Sequence, residues 1–360
     1  MIYTKVVEQD INNIIVDTKL NECIEDLKNT TILITGASGM IGSYLCLTFM
    51  KLNEIFDANI RIIASVRNKN KLNNLIADND NVEVLVHDVI NSFIVDGNID
   101  YIIHAASPAS PKIMANYPVE TNLANTLGTY NTLKLAETKK SKGYMFISSR
   151  EIYGEPNNGQ PIFTEDGELG QVNPLIPRNG YAEGKKAAEN LCAGYKEEYG
   201  LNTKIVRLAH TYGPGMSIYD GRVQADFLKN IMNNENIVLK SDGSSIRTYT
   251  YISDAITAML LVLFKSNDLV YNIADESSVT SIKELAETLV SIDSSKDLKV
   301  VFDIPEDGLK GTSGFKTGIL STDKIRNELG WLPRYSIKDG FSRTIEHLQD
   351  ELKSEKEIAK

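Results

Sequence analysis

Cysteine is scarce in this chain, and long apolar runs and an excess of positive charge are missing altogether. The three cysteines among 360 residues, Cys23, Cys46 and Cys192, show no metal-like spacing. They read as reduced core thiols of a cytoplasmic protein, not as a disulfide framework. The longest uninterrupted apolar run, Ala258 to Phe264, falls far short of the roughly 20 residues that cross a bilayer, so no membrane span is expected. The opening MIYTKVVEQD has no basic region followed by an apolar stretch, which predicts no secretory signal. A formal net charge of −10 argues against nucleic acid as a partner, because its phosphates need a basic face. A small anion can still bind an acidic chain where a few cations and helix N-termini converge.

What is present is alternation. Short β-branched or aliphatic runs at 31–35, 60–66, 82–86, 100–104, 143–147 and 203–208 are separated by longer stretches of helical periodicity, such as 116–139 and 181–199. This pattern predicts an α/β fold with a doubly wound parallel sheet and helices on both faces. Residues 1–29 read as a helical lead-in. Beyond about residue 212 the alternation becomes irregular, with turns at 213–221 and 241–245. A dinucleotide-binding domain is therefore expected over 30–212 plus 246–272, and a smaller mixed lobe over 213–245 plus 273–360.

Three glycines, Gly36, Gly39 and Gly42, fall between the first strand and the helix after it. In a turn of this Rossmann type, Gly36 permits the tight bend, Gly39 lets backbone approach a pyrophosphate, and Gly42 lets helix and strand pack closely. The helix N-terminus then offers unpaired N–H groups and a positive dipole end to phosphates. A nicotinamide dinucleotide is the expected ligand, NAD or NADP. The second strand ends Ser65-Val66-Arg67-Asn68 without the acid that would hold NAD ribose hydroxyls, and Arg67 is either a contact to the 2′-phosphate of NADP or a solvated strand-end arginine. Asp88, after the third strand, is either a contact to the adenine amino group or a local cap. His87 and His104 stand at strand ends without partner ligands, so no metal site is expected.

Tyr181 and Lys185 are four residues apart at the start of a helix and so share one face. A free tyrosine, with a pKa near 10, is a weak base at neutral pH. A nearby ammonium and a positive nicotinamide favour its phenolate. Ser149 follows the fifth strand, at the carboxyl end where such sheets bind ligands, and would hydrogen-bond the reacting oxygen.

Taken together, the turn, Ser149 and the Tyr181–Lys185 pair resemble the extended short-chain dehydrogenase/reductase family, in its nucleotide-sugar epimerase/dehydratase branch, over nearly the full length. Several stretches are similar to UDP-glucuronate decarboxylases: His104-Ala-Ala-Ser-Pro108-Ala-Ser-Pro111, Asn179-Gly-Tyr181-Ala-Glu-Gly-Lys185, Thr211-Tyr-Gly-Pro214, Asp220-Gly-Arg222-Val223 and Arg247-Thr-Tyr-Thr-Tyr251. The resemblance implies a catalytic set of Ser149, Glu151, Tyr181 and Lys185. It implies that Ser38, Met40, Ile41, Ala105 and Ala106 join the three glycines at the cofactor. It further implies that Ser107, Arg150, His210, Arg222, Arg247 and Tyr251 line a nucleotide-diphosphate sugar, and that the chain pairs as a homodimer. Four positions depart from the pattern. Arg150 stands where dehydratases carry an aspartate, Met114 where decarboxylases carry a tyrosine, Gly215 for an arginine and His210 for an asparagine. The resemblance implies oxidation of the sugar at C4, followed by decarboxylation, with 4-epimerisation, 4,6-dehydration, keto-sugar reduction or a non-catalytic dinucleotide-binding role as alternatives.

Overall fold

The computed structural model describes residues 2–156, 162–304 and 318–358. Seven parallel strands form its central sheet: β1 Thr31–Thr35, β2 Arg61–Val66, β3 Val82–Val86, β4 Tyr101–His104, β5 Gly143–Ser149, β6 Thr203–Leu208 and β7 Val270–Ile273. Their spatial order is 3-2-1-4-5-6-7, so the direction of winding reverses between β1 and β4. A crevice at the carboxyl ends of strands at such a reversal is where open α/β sheets take their ligands.

Burial explains why these strands read as nearly continuous apolar runs. Ile32, Ile34, Ile62, Ala64, Ile103, Met145 and Ile147 face one layer, together with Leu45 and Phe49 of the helix Met40–Phe56 and Met259 of Ile252–Lys265. Their alternates Leu33, Ile63, Ile102, Tyr144 and Phe146 face the other, against Leu133 and Ala136 of the helix Pro118–Lys139 and Ala188 and Cys192 of Gly180–Tyr199. Successive side chains in a strand point to opposite faces, and here both faces are covered.

The lead-in forms three helices, Lys5–Ile15, Thr18–Asn21 and Ile24–Leu27, and its apolar residues Val7, Ile11 and Ile14 are part of the main core. Buried Asp10 accepts hydrogen bonds from Tyr44 (2.9 Å), Tyr251 (2.7 Å) and Arg343 (2.7 Å), which ties this first helix to the last, Ile337–Ile358.

The stretch 246–272 divides in a way that its sequence does not announce. Ile246–Tyr251 forms the middle strand of a separate three-stranded sheet, parallel to His210–Tyr212 and antiparallel to Val279–Ser281. Only the helix Ile252–Lys265 and strand β7 belong with the central sheet. Strand pairing decides this boundary, and pairing partners are distant in sequence. Among the described residues no helix is long and apolar enough to cross a membrane.

Candidate active site

The glycine turn lies at the winding reversal. Gly36 has φ +69°, a left-handed conformation open to glycine, and a β-carbon there would come within 2.9 Å of the Ala106 backbone. A β-carbon on Gly42 would collide with the Gly36 carbonyl. Gly39 caps the helix Met40–Phe56 without any side-chain cap, so the first-turn N–H groups of Met40 and Ile41 lack intrahelical acceptors. Ser38 and Gly39 are exposed at the mouth of this cradle. Ala105 and Ala106 form its other wall, held because Ala106 N–H donates to the Thr35 hydroxyl (3.1 Å), which also bonds His104 (2.8 Å). A dinucleotide pyrophosphate fits these features: room where side chains are excluded, and a helix N-terminus with donors to spare.

Arg67 and Asp88 sit at the carboxyl ends of the neighbouring strands β2 and β3, on the same edge as the turn. Arg67 is exposed, and Asp88 accepts from Ile90 N–H (3.3 Å), a local turn contact.

Ser149 ends β5, and its hydroxyl accepts from Glu151 N–H (3.2 Å) as the chain enters the turn Arg150–Tyr153. The helix Gly180–Tyr199 can approach Pro118–Lys139 closely because Gly184 faces Asn125, where a β-carbon would lie 3.1 Å from the asparagine's own. That approach places Tyr181 and Lys185 over the end of β5, 7% and 3% exposed. Lys185 Nζ donates to the Ile147 carbonyl (2.6 Å) and lies 4.5 Å from the Phe146 ring centroid and 5.7 Å from that of Tyr181.

The electrostatics differ from the expectation that Lys185 lowers the tyrosine's proton affinity. Tyr181 is instead pushed up to about 12, first by burial and then by the Glu151 carboxylate. The Ser149 hydrogen bond, Arg222 and Arg178 oppose this rise. Burial also pushes Lys185 down to about 7, so near neutrality its charge is only partly present. In the protein alone, the cations that favour the phenolate are arginines.

Arg150 is buried and its proton affinity falls to about 10, through desolvation and the neighbouring Arg247 and Arg178, with Glu151 opposing. Arg247 donates to the Ile246 carbonyl (2.8 Å). His210 is held well below the usual histidine range by burial, then by Arg150, Arg247 and Arg222. Three arginines distant in sequence thus act on one imidazole. Arg222 pairs with Asp220 (2.9 Å) and donates to the Ala109 carbonyl (2.6 Å), while the Ser110 hydroxyl donates to the Asp220 carbonyl (2.7 Å). These contacts tie the segment after β4 to the smaller lobe. Ser107 beside it donates to Asn125 (2.8 Å).

Tyr251 does not join this group. Its hydroxyl is committed to Asp10 and the side chain is 2% exposed, so the expected substrate contact is replaced by a core one. Conversely, Arg178 was not expected. It lies in the turn Pro177–Asn179 and grips both oxygens of Glu151 at 3.2 Å. A cation three residues before Tyr181 was the available signal, but its meaning needs the fold.

Residues 32–274 match the model of the NAD dependent epimerase/dehydratase family. The chain belongs to that family. It is accordingly an NAD-dependent enzyme of the epimerase/dehydratase type, with a nicotinamide cofactor. UDP-glucuronic acid decarboxylase 5 of Arabidopsis thaliana is 32% identical over 317 residues, 87% of each chain. UDP-glucuronic acid decarboxylase 1 of Xenopus tropicalis is 28% identical, over 89% of this chain and 72% of the relative. Among solved structures, the UDP-glucose 4-epimerase of Thermotoga maritima, bound to UDP-glucose, superposes with a TM-score of 0.74 at 24% identity, covering 90% of this chain and all of that one. The UDP-glucuronic acid 4-epimerase of Bacillus cereus, with UDP-glucuronic acid and NAD, gives 0.74 at 22% identity, covering 89% and all. At these identities the structures establish the fold, a seven-stranded doubly wound sheet with a smaller mixed lobe.

Proposed function

We propose that this enzyme oxidises C4 of a nucleotide-linked uronic acid, UDP-glucuronate, and releases the sugar carboxyl as CO2. The observation that carries this reading is the placement of three arginines: Arg150 follows Ser149 at the end of β5, Arg247 stands two residues before the Tyr249 that pairs with His210, and Arg222 reaches the Ala109 carbonyl and bears on Tyr181. In a chain of net charge −10, such a cluster suits a substrate bearing both a diphosphate and a carboxylate. The curated relatives, named as UDP-glucuronic acid decarboxylases, support the same choice.

When bound, the nicotinamide supplies the acceptor, and later the donor, of the hydride at C4. Tyr181 takes the C4 hydroxyl proton while Ser149 holds that oxygen. The resulting 4-ketone lies β to the carboxylate on C5. Breaking the bond from C5 to the carboxyl carbon releases CO2 and leaves its electron pair in an enolate, whose oxygen Ser149 and protonated Tyr181 stabilise. Arg247 orients the carboxylate. C5 regains a proton from solvent water, which the Glu151 carboxylate orients, and Tyr181 returns its own proton to the C4 oxygen when the ketone is reduced.

NAD is the favoured cofactor, in line with the family description, and Arg67 is the residue through which NADP would compete. The reading includes a homodimer built on the helices Pro118–Lys139 and Gly180–Tyr199. Exposed Val119, Leu127 and Tyr130 support it, and a strictly monomeric mass by light scattering at micromolar concentration would refute it. Buried, unpaired Cys23, Cys46 and Cys192 suit the reducing cytoplasm.

One observation favours a second reading, 4-epimerisation. Arg150 is a buried cation near the half-buried Arg247, and two cations together stabilise the carboxylate charge that decarboxylation must discharge. A panel of nucleotide sugars with product mass as readout separates the two. The proposal expects a product lighter by CO2 from UDP-glucuronate alone. A product of unchanged mass with inverted C4 would establish the epimerase, and turnover confined to neutral hexose nucleotides would reject both.

A further inference from the structure

Among the charged groups that act on Tyr181 the Glu151 carboxylate has the largest effect, and its charge opposes formation of the phenolate. Its two oxygens are both taken by the Arg178 guanidinium at 3.2 Å, in a pair that is about one-fifth to one-quarter exposed. Arg178 reaches it from the turn Pro177–Asn179, which leads directly into the helix carrying Tyr181 and Lys185. The pair therefore clamps the end of β5 to the start of the catalytic helix. A two-pronged arginine–carboxylate contact fixes orientation as well as charge, which a lysine point charge does less well.

We propose that Arg178 is a positioning residue that acts through Glu151, holding its carboxylate at the catalytic tyrosine and balancing its negative charge there. This rests on the reading of Tyr181 as the acid–base group. Without Arg178, the carboxylate would lose its fixed direction and its charge would bear on the phenol uncompensated. The other groups facing Tyr181 are Ser149 on β5, Arg222 at the start of the helix Val223–Asn233 and Lys185 on its own helix. None of these contacts Glu151 through both oxygens as Arg178 does. Removing the arginine should therefore raise the proton affinity of Tyr181 further, and removing the glutamate as well should cancel much of that rise.

The test is a spectroscopic titration of the tyrosine phenolate in the cofactor-loaded enzyme without substrate, each variant referenced to its own Tyr181→Phe counterpart. Arg178→Gln should move the Tyr181 transition upward by about one pH unit, the lower end of what a lost neighbouring charge does. Arg178→Lys, the variant least able to disturb folding, should recover most of the charge effect but not the rate. Turnover should fall through kcat more than KM in both. In a Glu151→Gln background the direct attraction of the Arg178 charge remains, so Arg178→Gln should still move the transition upward, but by less, and should lower kcat no further. A transition unmoved by Arg178→Gln, or moved equally with and without Glu151, would overturn the proposal. Because no substrate is present, a wrong choice of sugar leaves this result unaffected. The absence of any Tyr181-dependent transition in the parent enzyme would instead defeat the acid–base assignment and the proposal together.

Discussion

At the Gly36–Gly42 turn the chain is shaped by what it omits, whereas the wall around His210 is shaped by long side chains that arrive from far apart. The turn spans seven consecutive residues, and its geometry follows from missing β-carbons and a helix start. The wall draws Arg150 from the end of β5, Arg222 from a helix cap and Arg247 from the small three-stranded sheet. A site made of backbone tolerates little change, because its room cannot be restored by a neighbour. A site made of side chains can be rewritten one residue at a time while the fold persists. Two of the departures from the family pattern, Arg150 and His210, lie on the second kind of surface.

The strongest way to break this comparison is to load the turn. Gly42→Val should abolish binding of NAD or NADP, since its β-carbon would collide with the Gly36 carbonyl. Calorimetric titration checks it, and unchanged affinity would remove the steric account of the turn. Next in size is Tyr181→Phe, which keeps the ring and removes the ionisable group. Turnover should fall by about 10²-fold or more, the usual scale for general acid–base catalysis, while the far-ultraviolet spectrum stays native. Normal turnover in that variant would sink the mechanism.

The smallest expected effect sharpens the contrast from the side of stability. Lys185 is pushed down to about 7 in the folded protein, well below its ordinary value. Between pH 7 and the ordinary lysine range the unfolded chain binds the extra proton, so stability rises with pH across that window. The cost is fully present below pH 7. In cofactor-free protein at pH 6 to 7, Lys185→Met should therefore gain on the order of 1 kcal/mol, a gain that fades as pH approaches 10. Thermal melts as a function of pH measure this, and a variant less stable than the parent at pH 6 would contradict it.

The same contrast governs what could be read without a structure. Strands at 31–35, 82–86 and 203–208 and the helix from 181 to 199 follow from local periodicity, and the structure has them within a residue or so. The cofactor turn and the Tyr181–Lys185 spacing are likewise local. Tyr251 was misplaced because a strand residue reveals its register only through its partners, and here the partner is Asp10, 241 residues away. Arg178 was overlooked for the same reason: its partner Glu151 lies 27 residues upstream across a strand–helix crossover. The rise of Tyr181 to about 12 comes from burial, which no motif displays.

The most direct test of the central claim, an intact oxidation site behind an altered sugar-facing wall, is CO2 release from UDP-glucuronate with the product weighed in parallel. The account predicts CO2 and a correspondingly lighter nucleotide sugar from the native enzyme, and neither from Arg247→Ala. A native enzyme that releases no CO2 while turning over a neutral hexose nucleotide would contradict it.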